Sequence, residues 1–144
     1  MLIVEDEVLL AIDLESHLEA LGQEIVGLAG DATQALALAD VEHPDLALVD
    51  INLRDGRTGL VISSKLGAGH DTTVVLVTGS PEQIPADYAG AIGALTKPWR
   101  PEALEQLVMF VRALRVPGSN ASLPAPPASM RLAPHLQSDL APRR

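Results

Sequence analysis

The chain has 144 residues, 47% of them hydrophobic but only 2% aromatic, and a formal net charge of −9, which suits one acidic domain with an aliphatic core. The absence of cysteine excludes disulfides and thiolate metal sites; without a secretion signal or an apolar run of roughly 20 residues, a cytoplasmic protein with no membrane partner is expected. Residues 1–116 carry 18 acidic side chains against 7 Lys and Arg, a balance of −11 that argues against nucleic-acid binding.

Short β-rich runs alternate with segments of helical spacing through residues 1–116. The predicted strands are, in chain order, residues 2–5, 24–28, 46–50, 73–78 and 94–97. The predicted helices that follow them are near residues 10–21, 31–39, 58–66, 81–91 and 101–114. The fourth helix contains Pro85 and is expected to be short or irregular, whereas the fifth has the clearest apolar stripe. This (βα)₅ order predicts an α/β fold, an open doubly wound sheet of parallel strands.

The segment from residue 117 onward differs in composition. It holds six prolines in 28 residues and little hydrophobic periodicity. Such a sequence buries little apolar surface, so residues 117–144 are predicted to form a Pro-rich, disordered tail. They are too few for a separate output domain.

Polar side chains follow the apolar runs at the point where each predicted strand ends. Glu5 and Asp6 follow the first strand, Asp50 ends the third, Thr78 ends the fourth and Lys97 ends the fifth. Each alone has an ordinary explanation, such as a helix cap or a solvated surface lysine. Because parallel strands end at one edge of a sheet, however, the five are expected to converge on one crevice. Clustered carboxylates favour Mg²⁺, and an Asp carboxylate can act as a nucleophile toward phosphorus.

Four motifs in this order resemble a response-regulator receiver domain of two-component signalling, of the stand-alone, single-domain type. They are LIVEDE at 2–7, LVDINLRDGRTG at 48–59, VLVTGS at 75–80 and LTKPW at 95–99. The resemblance covers residues 1–116 and implies a flavodoxin-like fold with strand order 2-1-3-4-5. It also implies that Asp50 accepts a phosphoryl group from a sensor histidine kinase.

The resemblance assigns roles to the other residues at the strand ends. Glu5 and Asp6 match the acidic pair that holds Mg²⁺, with Asp6 as the direct ligand, and the backbone carbonyl of Asn52 matches a further ligand. Asp50 completes the metal set. Thr78 matches the switch hydroxyl, and Lys97 matches the lysine that pairs with the phosphoryl group.

One position departs from the family pattern, and the resemblance to the family also indicates which partners to expect. Ala94 stands where the family usually carries Tyr or Phe, so the usual coupling between the threonine and an aromatic ring is not expected here. Without an output domain, the signal is expected to pass to a downstream protein or a phosphotransfer partner. A homodimer through the predicted fourth helix, fifth strand and fifth helix is a further possibility that the family suggests.

Two alternatives to a phospho-accepting signalling protein stay open on the sequence. A phosphatase that forms an aspartyl phosphate would carry a second Asp two residues after the nucleophile, but that position is Asn52, which cannot serve as an acid or base. A receiver-like binding module that is never phosphorylated is the other alternative. The expectation is therefore that the protein is not an enzyme, beyond assisting its own phosphorylation and dephosphorylation.

Overall fold

A computed structural model describes residues 1–118 and 123–141 of the chain. The strands are β1 (Leu2–Val4), β2 (Gly27–Ala29), β3 (Leu46–Asp50), β4 (Thr73–Thr78), β5 (Gly93–Thr96) and β6 (Met130–Leu132). The helices are α1 (Val8–Ala20), α2 (Ala32–Glu42), α3 (Thr58–Gly69), α4 (Pro101–Leu114) and α5 (Pro134–Leu140). Two single 3₁₀ turns, Pro81–Gln83 and Tyr88–Gly90, lie between β4 and β5. Within the described ranges, no helix combines the length and apolar character that crossing a bilayer requires.

The strands form one sheet in the order β2-β1-β3-β4-β5-β6, and the first five are mutually parallel. The predicted flavodoxin-like fold with order 2-1-3-4-5 is thus confirmed. Apolar side chains alternate between two core layers, with Leu48 on the side of α1 and α4 and Val49 on the side of α2 and α3. Coverage of both faces explains why the central strands are apolar on consecutive residues.

Local sequence signals set the ends of the helices that carry these core residues. The Asp31 carboxylate accepts a hydrogen bond from the backbone N–H of Gln34 at 2.9 Å and so caps α2. Gly22, just after α1, has φ +84°, a conformation that glycine adopts without steric cost. Pro101 occupies the first turn of α4, where its missing N–H costs nothing.

Residues 81–91, predicted as a short or irregular helix, do not form an α-helix. The two 3₁₀ turns replace it, because Pro85 has no amide hydrogen to give to a helical ladder. Ala89 is buried with φ +49°, and its N–H donates to the Asp87 side chain at 2.9 Å. The predicted fifth helix is therefore α4 of the structure.

The expectation of a disordered tail is wrong for residues 130–140. Met130–Leu132 forms β6, antiparallel to β5, and α5 follows it. Met130 and Ala133 are buried, so the segment gains the apolar burial that its composition did not predict. Ordered structure thus continues past the predicted domain boundary at residue 116, while residues 119–122 and 142–144 of the predicted tail lie outside the described residues. The β5 edge, part of the suggested dimer face, is paired with β6.

Two α4 side chains at opposite extremes of exposure give a test of this packing. Leu104 is fully buried, whereas Met109 is 53% exposed. Leu104→Ala leaves a cavity in the core and is expected to lower the free energy of unfolding by about 2–5 kcal/mol in urea titrations. Met109→Ala is the control and is expected to change it by about 0.5 kcal/mol or less. Equal losses from both variants would contradict this placement of α4.

Candidate functional site

Strand β3 carries Asp50 to the carboxyl edge of the sheet. Residues 46–49 are buried on both faces, and the Asp50 side chain, 12% exposed, lies at the point where the strand leaves the core. The loop that follows β3 brings Gly59 back against the end of the strand, where the Gly59 N–H donates to the Ile51 carbonyl at 3.1 Å. A Cβ on Gly59 would overlap the backbone oxygen of Asp50 and lie 2.7 Å from the Ile51 Cα. Gly59 therefore allows α3 to begin directly against the end of β3.

Strand β1 supplies two further carboxylates beside Asp50. The Glu5 N–H continues the pairing with β2 by donating to the Ala29 carbonyl at 2.8 Å, which fixes Glu5 at the strand end. Glu5, Asp6 and Asp50 each offer an oxygen, and these oxygens all lie within 4.8 Å of one another. The structure thus brings together the three acidic residues that the sequence singled out.

Lys97 joins this acidic group from the end of β5. Its Nζ donates to Glu5 Oε1 at 2.7 Å and to Asp50 Oδ2 at 2.8 Å. The lysine side chain is 23% exposed and the Glu5 side chain 6%, so both ion pairs are shielded from water. The predicted convergence of these side chains on one crevice is what the geometry shows.

Burial governs the electrostatics of the cluster. Burial, and after it the neighbouring Asp50 carboxyl, raise the pKa of Glu5, and Lys97 offsets only part of the rise, so that the pKa lies at about 7. Burial alone would lower the pKa of Lys97, but its hydrogen bonds to Asp50 and Glu5 outweigh burial and raise it. Glu5 Oε2 is buried and has no hydrogen-bond partner among the described residues. An unpartnered buried carboxylate oxygen is costly unless a proton or a cation satisfies it.

Thr78 and Asn52 are the other two residues that the sequence predicted for this site. Thr78 is buried at the end of β4, and its Oγ1 accepts a hydrogen bond from the Ser80 N–H at 2.9 Å. Its backbone carbonyl accepts from the Lys97 N–H at 2.9 Å, which ties it to β5. Asn52 is exposed beside Asp50, and its side-chain Nδ2 donates to Gln83 Oε1 at 2.8 Å. The role of the Asn52 carbonyl as a metal ligand stays a prediction.

Three neighbours of the site were not assigned to it from the sequence. Gln83 reaches Asn52 from a loop whose sequence carries no signal for that contact. Trp99 lines a small cavity with Glu5, Asp50 and Lys97 and makes an edge-to-face contact with His17 at 5.2 Å between ring centroids. The third, Gly59, lies within the quoted 48–59 motif, where its position after a strand-ending Asp was a usable signal.

Comparison with known proteins identifies the family to which the chain belongs. Residues 1–109 match the response regulator receiver domain, and the chain belongs to that family. It is 33% identical over 121 residues to the phyllosphere-induced regulator PhyR of Methylorubrum extorquens, across 80% of this chain and 45% of that protein. The chain spans about half the length of PhyR and of another curated relative, PdtaR of Mycobacterium tuberculosis.

Two solved structures show the same likeness. The receiver domain of Erythrobacter litoralis PhyR matches with a TM-score of 0.69 at 30% identity, across 77% of this chain and 87% of that one. A Burkholderia pseudomallei response regulator, solved with a phosphorylated aspartic acid, a calcium ion and citrate, matches with a TM-score of 0.65 at 28% identity. That match covers 72% of this chain and 62% of the other.

The raised pKa of Glu5 predicts how stability depends on pH without divalent cations. The folded state binds a proton more tightly than the unfolded state, so the stabilising contribution is complete below about pH 4.5 and is lost as the pH rises through about 7. Urea unfolding in EDTA should therefore show a stability that falls across this window, and Glu5→Gln should flatten the fall. Glu19→Gln, at an exposed site on α1, should retain it. A fall that survives Glu5→Gln would assign the titration to another group.

The close approach at Gly59 predicts a second effect on stability. Gly59→Ala is expected to lower the free energy of unfolding by about 1–3 kcal/mol, because the backbone of β3 must move to admit the methyl group. Gly69→Ala, at the other end of α3, is the control, because a Cβ there would meet no atom within 4 Å apart from its chain neighbours and the backbone of its own helix. Urea denaturation of both variants measures the difference. A Gly59→Ala protein as stable as the control would show that α3 does not depend on the close contact between Gly59 and the end of β3.

Proposed function

We propose that this protein is a phospho-accepting receiver, in which Asp50 takes a phosphoryl group from a phosphohistidine of a sensor kinase in a Mg²⁺-dependent reaction. The observation that carries the proposal is the Lys97 Nζ, held 2.8 Å from Asp50 and 2.7 Å from Glu5 at the edge where the strands end. Phosphoryl transfer requires mainly positioning and neutralisation of charge. A carboxylate beside a fixed ammonium and two further acids meets both requirements.

The chemistry assigned to the chain's own residues is simple. A carboxylate oxygen of Asp50 attacks phosphorus, a P–O bond forms and the P–N bond to the kinase histidine breaks. The departing imidazole nitrogen keeps the bonding electrons and takes a proton from solvent. The Lys97 ammonium can donate to a phosphoryl oxygen, and so can the Thr78 hydroxyl, since its contact with the Ser80 N–H uses only the oxygen.

The donor set of the acidic cluster fits Mg²⁺. Carboxylate and carbonyl oxygens are the ligands that this ion prefers. The buried Glu5 Oε2 has no hydrogen-bond partner within the described residues, so a cation nearby would offset the cost of burying it. Asp6, Asp50 and the Asn52 carbonyl would hold the ion, with Glu5 beside them. When bound, Mg²⁺ neutralises charge on the phosphoryl oxygens. The phosphorylated aspartic acid and calcium ion in the Burkholderia pseudomallei relative support the assignment.

The surroundings of the site support docking of a protein partner. The first turns of α1, directly after the acidic pair, expose Val8, Leu9 and Ile12 at 68%, 82% and 46%. An apolar group beside a charged cleft suits a protein surface better than a small phosphate ester. We therefore assign the phosphoryl donor to a sensor kinase, and the output to contacts with another protein.

Intact-mass analysis after incubation with acetyl phosphate and Mg²⁺ tests the proposal. The wild-type chain is expected to gain one phosphoryl group, and Asp50→Asn is expected to abolish the gain because the nucleophilic oxygen is replaced. Asp45→Asn, an exposed acid at the opposite end of β3, is the control and should be labelled like the wild type. EDTA should suppress labelling of the wild type and of Asp45→Asn.

Three outcomes would contradict the proposal in different ways. A folded wild-type protein that takes up no phosphoryl group would favour a binding module. Labelling that persists in Asp50→Asn would place the acceptor elsewhere. Rapid multiple turnover of a small phosphate ester would favour a hydrolase.

A further inference from the structure

Residues 123–141, here called the C-terminal strap, close the edge of β5. Leu132, Arg131 and Met130 pair antiparallel with Gly93, Ala94 and Leu95, respectively. Two further backbone hydrogen bonds extend the pairing, from the Thr96 N–H to the Ser129 carbonyl at 3.2 Å and from the Ala133 N–H to the Ile92 carbonyl at 2.8 Å. The five parallel strands are complete without this addition, so the strap is an occupant of an edge that would otherwise be open.

Gly93 shows that β5 is adapted to this occupant. A Cβ built there would lie 2.5 Å from the Arg131 backbone oxygen and 2.7 Å from the Met130 Cε. The three atoms nearest to that Cβ all belong to the strap, and Gly93 has no positive φ that would call for a glycine. The close approach of the strap is therefore what this glycine permits.

The strap is held less firmly than the body of the fold. Its helix α5 has no buried residue, and Leu136 and Leu140 only partly bury themselves against the core. Pro127, Met130 and Ala133 are the buried residues of the strap within the described chain. Segments with few buried contacts open at a lower free energy than the core does, so the strap can leave while the five parallel strands stay folded.

The strap also contacts the strand that carries Lys97. The Thr96 N–H, bonded to the strap, immediately precedes Lys97 in the chain, and the Lys97 N–H is bonded to Thr78 on the opposite side of β5. The end of β5 is thus fixed from both edges, and in this arrangement the Lys97 Nζ lies against Asp50 and Glu5. A docked strap and the Lys97–Asp50 contact therefore occur together in this structure.

We propose that the C-terminal strap is a releasable latch: docked on β5, it stabilises the unphosphorylated arrangement of Lys97 with Asp50, and phosphorylation releases it. In this proposal, phosphorylation of Asp50 draws Lys97 out of its present contacts with Asp50 and Glu5. By linkage, a strap that favours those contacts is then bound less tightly once Asp50 is phosphorylated. Release exposes the β5 edge as a surface for an extended segment of another protein chain. The response to phosphorylation rests on the proposed function, whereas the link between the strap and Lys97 does not.

Hydrogen exchange of the full-length protein tests docking and the link to Lys97. Gly93→Ala is expected to speed exchange of the Thr96 and Ala133 amides about tenfold or more, with Gly69→Ala as the matched control. Lys97→Met should also speed exchange of these amides, by about fivefold or more. The sequence has one other lysine, the exposed Lys65, and Lys65→Met should leave the exchange unchanged. Equal exchange in Lys97→Met and Lys65→Met would overturn the link even if the protein is never phosphorylated.

A locked strap tests the response to phosphorylation. The chain has no cysteine, so Ala94→Cys with Arg131→Cys introduces a single disulfide across directly paired residues, and the reduced protein is its own control. At low acetyl phosphate with Mg²⁺, the oxidised form is expected to carry about fivefold less phosphoryl label than the reduced form. Labelling of the wild type should speed exchange of the strap amides. Equal labelling of the oxidised and reduced forms would overturn the latch, whereas a wild type that takes up no label would instead count against the proposed function.

Discussion

The Lys97 ammonium between the carboxylates of Glu5 and Asp50 is the interaction on which the rest of the site depends. Three acids in a half-buried crevice repel one another, and only a cation among them makes the arrangement tolerable. The strand order imposes a further condition, because β4 lies between β3 and β5. Strands are about 4.8 Å apart, so the cation must be carried on a side chain long enough to cross the end of β4, where Thr78 lies. A lysine at the end of β5 meets this condition.

The sequence predicted most of this arrangement, because its signals are local. Consecutive apolar residues mark the buried strands, and a charged residue at the end of such a run marks the edge of the sheet. Asp50, Glu5, Asp6 and Lys97 were predicted in this way, and the parallel topology then brings them together. Helix α4 was equally clear, since its stripe of buried residues repeats at helical spacing over fourteen residues.

The parts that the sequence did not predict depend on distant contacts. Strand β6 has three residues and one buried side chain, Met130, so it has too little pattern to stand out among prolines. Its stability comes from pairing with β5, and the glycine that admits it, Gly93, reads in sequence as an ordinary residue at a strand start. Gln83 contacts Asn52 from a loop without regular spacing. The composition of residues 117–144 correctly indicated that this segment buries little apolar surface. It wrongly indicated that the whole segment is disordered.

The proposed function requires that the ends of four strands form a single phosphoryl-binding site in which Asp50 is the acceptor. The most direct measurement is a ¹H–¹⁵N spectrum of the full chain with Mg²⁺ and beryllofluoride, a stable mimic of the phosphoryl group. Amides near Asp6, Asp50, Thr78 and Lys97 are expected to shift together, and Asp50→Asn is expected to remove all of the shifts. Shifts confined to one strand end, or shifts that persist in Asp50→Asn, would contradict the proposed function.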